Sequence, residues 1–404
     1  MDLPRRRHDE KEDGGPESPR LEWSALAAPT AAAVLVSLPV FMVGTLAVDI
    51  RGDVSFSNVA LGGLVSIFSG LTALAAFPAG RVVERIGYRL GLVLAFLLAG
   101  VALLGPALLA HQWWHLAVGQ AVAAGGAALA IPSVQVALVT RIPPERQGVA
   151  FGLNMSAVPA SILLAGIAVP LVGETVGWRW AFGGAGAVGI GISLAVATSL
   201  GNERWTSLPG MREAIHRKPV LLGSGAMFLG LWAVQTVATF AVESGVDSGH
   251  SAGSIGYALA VASVGAIAMR IVAGWWADRI GPVRVFLMIP ALIVIGAGGI
   301  GLLAVGGSFL AVTAGLVVGL GFGWGWNGLL AYGLVRPNPR AAATAASFMM
   351  IGGFGGSAVG PIVSGALVSG PGFGAAWTVT ALAMVGAAVM TTLAGRDHRL
   401  GEVA

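Results

Sequence analysis

Residues 80–87, Gly80-Arg81-Val82-Val83-Glu84-Arg85-Ile86-Gly87, return 194 positions later as Gly274-Trp275-Trp276-Ala277-Asp278-Arg279-Ile280-Gly281. Glycine, acid, arginine, isoleucine and glycine occupy the same places in both copies. The same offset pairs Asp49 with Glu243, Asp53 with Asp247, Ser57 with Ser251, Gly62 with Gly256, Pro143 with Pro337 and Arg146 with Arg340. In a chain with 62 glycines, matching glycines carry no weight by themselves. Charges held in register do, and they mark an internal duplication.

The material between the repeated charges is apolar. Of 404 residues, 56% are hydrophobic and only 10% charged, with a mean hydropathy of +0.82. These values exclude a water-soluble globule. Apolar runs that can cross a bilayer core of about 30 Å as helices fall at 26–49, 57–80, 89–110, 112–140, 147–173, 178–200, 219–243, 252–277, 284–305, 308–335, 341–369 and 372–394. They are continuous rather than alternating in polarity, which separates them from the strands of a membrane barrel. The expected fold class is therefore an all-α membrane protein, with 12 transmembrane helices in two pseudo-symmetric six-helix bundles. Each half begins on the same side of the membrane, so the axis relating them runs along the membrane normal.

Residues 1–25, with Arg5-Arg6-Arg7 followed by an acidic stretch, predict a disordered tail and not an export signal. The bundles are expected over 26–200 and 219–395, joined by a polar linker at 201–218 and followed by a tail at 396–404. Placing the amino terminus inside puts 20 of the 23 lysines and arginines on the inner side. Only Arg51 and Arg179 then fall outside, and Arg270 lies within a span. Positive segments are retained in the cytoplasm, so both termini are expected there, in a multi-pass protein of the inner (plasma) membrane.

The run from Gly80 to Arg89 resembles the signature of the major facilitator superfamily, Gly-x-x-x-Asp-Arg-x-Gly-Arg-Arg, and Gly274 to Gly281 is its echo after the eighth span. The resemblance covers the chain beyond its first residues. It implies two halves that rock about a central cavity lined by the first, fourth, seventh and tenth helices. It also implies an inner gate at Gly80, Glu84, Arg85 and Gly87 and at Gly274, Asp278, Arg279 and Gly281. Glu84 replaces the usual aspartate, and Tyr88 and Pro282 replace basic residues, which implies weaker contacts at that gate.

Arg270 is the lysine or arginine set deepest in a span, eight residues before Asp278. An intramembrane arginine faces protein or a water-filled cavity, and its planar fork suits a carboxylate. Its repeat partner is Ala76, so the six-helix unit does not need the charge. The arginine is similar in position to that of nitrate porters and, more loosely, monocarboxylate transporters, where it contacts the anion. Nitrate porters have a second arginine where this chain has Ala76, so a small organic monoanion fits better. A structural arginine that snorkels or meets a buried carbonyl is the alternative.

Helical spacing places Trp232, Gln235, Thr236 and Thr239 on one face of the seventh span, and Trp324 and Asn327 on a face of the tenth, with Trp326 turned elsewhere. Asn154 and Ser161 align on the fifth span, Ser263 and Arg270 on the eighth. These residues are candidate substrate contacts, and helix packing uses the same residue types. Asp49 and Glu243, at the outer span ends, are candidate proton sites. Proton-coupled relatives carry an arginine in the fourth span where Gln120 stands. The pattern Gly356, Gly360, Pro361 on the eleventh span, degraded at Val169-Pro170 on the fifth, is read as close packing.

No cysteine is present, which excludes disulfides and thiolate chemistry. The six histidines fall in tails, loops and span ends, and no Walker-type phosphate loop is found. No enzyme activity, cofactor, metal or nucleic-acid partner is expected. The expected function is secondary active transport of a small organic monoanion by alternating access in a monomeric permease, with proton symport as its coupled form. The alternatives are a drug or metabolite efflux permease in which Arg270 is structural, and a non-transporting receptor on the same scaffold.

Overall fold

The computed structural model describes residues 23–143, 150, 153–199, 217–335 and 342–401, and the elements among them are all helical. The tail before Trp23, linker residues 201–216, Arg146, Arg340 and the side chains of Asp278 and Gly281 lie outside the described residues. Among the described residues, twelve helical spans are long and apolar enough to cross a membrane, in the order expected. Trp23 and Gly401 begin and end the helical chain on one face, called here the terminal face; the opposite one is the far face.

The duplicated serines cap helices. Ser57 accepts from the Ala60 N–H at 3.1 Å and Ser251 from the Ser254 N–H at 3.2 Å, each starting a span on the far face. A serine hydroxyl at this position satisfies one of the four amides that a helix start leaves unbonded.

Several boundaries differ from expectation, each for a local reason. The first span, Trp23–Thr45, resumes as a short far-face helix, Ala47–Asp53. The second, Asn58–Ile86, carries the signature inside the helix and not in a loop beyond it. It turns at Gly87, whose φ of 84° and ψ of 151° suit glycine alone. The echo behaves differently: Ala252–Val305 is helical through the junction of the eighth and ninth spans, without a positive φ at Gly281. The fifth span, Leu153–Val176, contains the helix Ala157–Ala168, a π-turn at Val169–Gly173, and Glu174–Val176. Pro170 has no N–H for a regular ladder there. The tenth divides into Phe309–Gly325 and Asn327–Val335 within the run Gly323-Trp324-Gly325-Trp326-Asn327, where glycine weakens the helix. The twelfth, Phe373–Gly401, extends past the expected end at 394.

Gly87→Ala is expected to cost about 1–3 kcal/mol, because alanine resists this backbone region. Gly80→Ala, which would meet nothing within 4 Å, should leave thermal unfolding in detergent unchanged beside it.

Within the first half the first span packs on the fourth and fifth, and the third on the fourth and sixth. In the second half the seventh packs on the eleventh and twelfth. Gly352, Gly356 and Gly360 lie directly against Ser224, Phe228 and Trp232, with no room for a Cβ. The eleventh-span glycines are therefore a packing seam, as their spacing implied. The halves meet where the second span packs on the eleventh, the fifth on the eighth, and the first on the seventh. Exchanging the halves turns the first of these pairings into the second, as the duplication requires.

Candidate functional site

The halves touch most closely on the far side of the membrane. Among the described residues, each glycine whose missing Cβ would strike the opposite half, namely Gly44, Gly62, Gly166, Gly253, Gly256 and Gly365, lies there. A Cβ on Gly44 would stand 2.9 Å from the Thr239 carbonyl oxygen, and one on Gly256 would stand 2.6 Å from that of Gly166. The repeat partner Gly62 is pressed against Pro361, and the Ser66 hydroxyl donates to the Ala358 carbonyl. On the terminal side a Cβ added at Gly80 or Gly274 would meet nothing within 4 Å, and Leu74 and Ile351 are 76% and 67% exposed. The far face is sealed, while among the described residues no glycine at the terminal ends of the second and eighth spans is pressed against the opposite half.

Two further polar contacts join the seal. Arg51 Nη1 lies 2.7 Å from Glu243 Oε1, and the Gly253 N–H at the start of the eighth span donates to Glu174 Oε1 at 2.6 Å. Each crosses between the halves.

Arg270 sits between the halves nearer the terminal face. Its Nε donates to the Trp324 carbonyl at 3.4 Å, Nη2 to Asn327 Oδ1 at 3.5 Å, and Nη1 to the Met155 carbonyl of the opposite half. The guanidinium carbon lies 5.5 Å from the Trp324 ring centroid. The break in the tenth span makes this possible. It frees the carbonyls of Gly323 and Trp324 from the helical ladder; the Trp326 indole N–H takes the first at 2.8 Å, and Arg270 takes the second. Unwound backbone that offers carbonyls to a cation is tolerated at membrane depth only inside protein or against a cavity. Trp324, 3% exposed, meets Phe41 of the first span edge-on at 6.4 Å, so an aromatic pair spans the halves beside the cation. Among the described residues no carboxylate lies within ion-pair distance of Arg270. Its charge is held by neutral oxygens and a ring face.

The candidate contacts divide. Trp324 and Asn327 join Arg270, and Trp326 turns instead onto Gly230 of the seventh span. Asn154 is 8% exposed beside Met155, and its Nδ2 has no partner. The seventh-span face does not act as one: Trp232 packs on Gly360, and Thr236 meets Ser364 at 3.0 Å, both toward the eleventh span. Thr239 instead abuts Gly44, and the buried Gln235 Nε2 has no partner. Trp232 Nε1 is likewise buried without an acceptor. Ser161 and Ser263 do not meet. Ser161 donates to the Val34 carbonyl at 2.8 Å and Ser263 to Leu259 of its own helix at 2.8 Å. The fifth and eighth spans join instead at Gly166 with Gly256 and at Met155 with Arg270. Gln120, where an arginine was sought, donates to the Pro39 carbonyl at 3.1 Å.

At the terminal face Glu84 and Arg85 are exposed, and a cavity of about 80 Å³ lies among Gly80, Val83, Glu84, Tyr88, Pro132 and Val136. Arg279 stacks on Trp275, with its guanidinium carbon 3.3 Å from the ring centroid. His111 precedes the helix that begins at Trp113, so it does not share a helical face with His115.

The sequence reading passed over Phe41, Met155, Arg51, Glu174 and Gly253. Arg51 was counted only as an outside charge, although it stands two residues after Asp49. The contribution of Met155 is a backbone carbonyl, which leaves no trace in residue identity.

The profile of the Major Facilitator Superfamily matches residues 30–361. Among solved structures, a bacterial homologue of the human lysosomal transporter Spinster in an inward-facing, occupied conformation superposes with a TM-score of 0.68. The identity is 18%, over 96% of this chain and 98% of that one. The inward-facing, unoccupied form gives 0.71 at 18% identity, over 93% and 97%. No curated protein matches the chain significantly in sequence.

Proposed function

The chain belongs to the major facilitator superfamily, and from that premise we propose that it is a secondary active permease carrying a small organic monoanion by alternating access. The observation that carries the reading is Arg270: a guanidinium set between two pivoting halves, beside Trp324 and Asn327, with no carboxylate among the described residues to neutralise it. A half-buried charge that no described carboxylate pairs is costly, and an incoming carboxylate offers the bidentate partner that three neutral oxygens do not. Phe41 and Trp324 give the apolar remainder of such an anion a flat surface. The sealed far face and the exposed Leu74 and Ile351 toward the terminal face fit one end state of the cycle. With the termini in the cytoplasm, as the lysine and arginine distribution favours, that state is open inward. We take the protein to act as a monomer in the inner membrane, with Asp49 and Glu243 as the acids of a proton-coupled cycle.

One observation favours the second reading, an efflux permease in which Arg270 is structural: all three of its nitrogen groups already have acceptors. Uptake into proteoliposomes separates the readings. Labelled monocarboxylates should accumulate and their neutral amides should not; equal handling of acids and amides would assign Arg270 to structure. A receptor on the same scaffold would bind without exchange, so the appearance of counterflow decides against it. An inward-directed proton gradient should raise accumulation, and an unchanged plateau would remove the proton-coupled form.

A further inference from the structure

We propose that Gln120 and Gln235 form a second subsite in the roof of the cavity, which takes a hydroxyl carried several carbons away from the carboxylate, so that the substrate is an ω-hydroxy monoanion and not a plain aliphatic acid. The inference rests on the Arg270 reading above for the carboxylate, and on separate residues for the hydroxyl.

The first and seventh spans set the roof. Both run from the terminal face to the far face, and they cross where Gly44 lies against the Thr239 backbone. Residues three and four apart share a helix face, so one turn nearer the terminal face Phe41 and Gln235 are brought toward each other. The Thr239 hydroxyl is turned back onto the Gln235 carbonyl at 2.7 Å and takes no part. Gln120, on the fourth span, reaches the same stretch of the first from within its own half, where its Nε2 donates to the Pro39 carbonyl at 3.1 Å. Residues 39–41 are thus flanked by one glutamine from each half.

Each glutamine keeps one polar atom unused. Gln120 is 3% and Gln235 6% exposed, and neither Gln120 Oε1 nor Gln235 Nε2 has a hydrogen-bond partner among the described residues. The Pro39 carbonyl can only accept, so it fixes the Gln120 amide with its oxygen outward. Trp232, three residues before Gln235 on the same helix face, also has its Nε1 buried and unpaired, and an indole can only donate. The first half therefore offers an acceptor and the second half donors. A buried polar group left unpaired destabilises the fold, and a ligand that pairs it recovers that cost on binding. A hydroxyl both donates and accepts, so a single one satisfies both amides. A second carboxylate would be repelled by Gln120 Oε1, and an ammonium would leave Gln235 unpaired.

The aromatic pair sets the length. The Arg270 guanidinium carbon lies 5.5 Å from the Trp324 ring centroid, Trp324 lies 6.4 Å from Phe41, and the glutamines stand beside the first span at the depth of Phe41. An α-hydroxyl stays at Arg270 with its carboxylate. A hydroxyl at the end of an apolar chain laid along Trp324 and Phe41 reaches the roof.

Binding of labelled ω-hydroxyhexanoate to the purified full chain tests the subsite, with competition by hexanoate, α-hydroxyhexanoate, ω-methoxyhexanoate and the primary amides of hexanoate and ω-hydroxyhexanoate. The ω-hydroxy acid should compete about tenfold better than hexanoate, the gain expected of one or two net hydrogen bonds. The α-hydroxy isomer, and the methoxy compound, which accepts without donating, should show no such gain. Gln120→Met and Gln235→Met keep the length of the side chain and remove the amide, and each should bring the ratio of the two acids to about one. Gln235→Met should also raise the thermal unfolding temperature of the ligand-free protein, since apolar surface replaces an unpaired buried N–H. Equal competition by hexanoate and ω-hydroxyhexanoate in the wild type, a ratio retained in both methionine variants, or an equal gain from the α-hydroxyl overturns the subsite. A lowered unfolding temperature with an unchanged ratio assigns the glutamines to packing or to a trapped water, and overturns it as well. The two readings fail separately. Acids preferred to amides with no effect of the ω-hydroxyl would remove the roof subsite alone. Acids and amides competing alike, with the ω-hydroxyl still preferred in both, would remove the carboxylate from Arg270 and leave the roof.

Discussion

Arg270→Ala is expected to raise the half-saturation concentration for monocarboxylate uptake by about a hundredfold, roughly the loss of 2–5 kcal/mol that follows truncation of one partner in a desolvated charge pair. Arg270→Lys should recover part of it, because an ammonium keeps the charge but loses the bidentate fork. The two substitutions separate charge from shape. A structural arginine predicts a different pattern: lower expression and thermal stability, with the affinity of the surviving protein unchanged. The Trp324 and Met155 carbonyls matter to the same prediction. They hold the guanidinium in place without neutralising it, so the anion enters a preformed site and need not displace an acid. Phe41→Ala should weaken binding of aromatic monocarboxylates more than that of acetate, since it removes a surface and not a charge.

Gly62→Ala and Gly256→Ala should each abolish most transport while leaving the protein folded. In the sealed state a Cβ at Gly62 is driven into the Pro361 backbone, 2.8 Å from the Ile362 nitrogen, and one at Gly256 into the Gly166 carbonyl at 2.6 Å. Backbone cannot rotate aside as a flexible side chain would. Overpacking of this kind costs about 1–3 kcal/mol, and each 1.4 kcal/mol is about a tenfold change in the balance of states. The cost falls only on the state with the far face closed, because separation of the halves relieves it. Spin labels at Ser55→Cys and Ser248→Cys, exposed far-face positions on opposite halves, should therefore report a shift toward the far-open form, with counterflow reduced in proportion. Gly70→Ala, on the same second span with nothing within 4 Å, is the matched control. Loss of transport in that control as well would point to helix propensity instead of the crossing.

The fold was legible because its signals repeat. Twelve apolar runs, a ten-to-one bias of positive charge and a register of acids at one offset each constrain topology independently, and Ser57 with Ser251 and Gly62 with Gly256 recur in the structure as paired caps and paired crossings. The site was less legible. Arg270 stood out because a charge deep in a span is rare, and Trp324 and Asn327 shared a face because helical spacing is regular; that the two meet is set by the break in the tenth span. Trp232 could not be placed, because the same spacing serves a substrate wall and a packing seam, and the partner that decides between them, Gly360, is 128 positions away. The signature residues were read as loops because polarity marks a membrane boundary, and a helix can continue past one; Gly87 turns the chain and Gly281 does not. The seal was missed for a related reason. A lone outside arginine reads as a topology marker until a second half brings Glu243 to it.

Equilibrium binding to the purified protein tests the Arg270 site most directly, because it requires neither flux nor coupling. Labelled monocarboxylate should bind saturably to the wild type, yield to other carboxylates but not to their amides, and lose nearly all specific binding in Arg270→Ala. Equal competition by acids and amides, or unchanged binding in Arg270→Ala, would contradict the account.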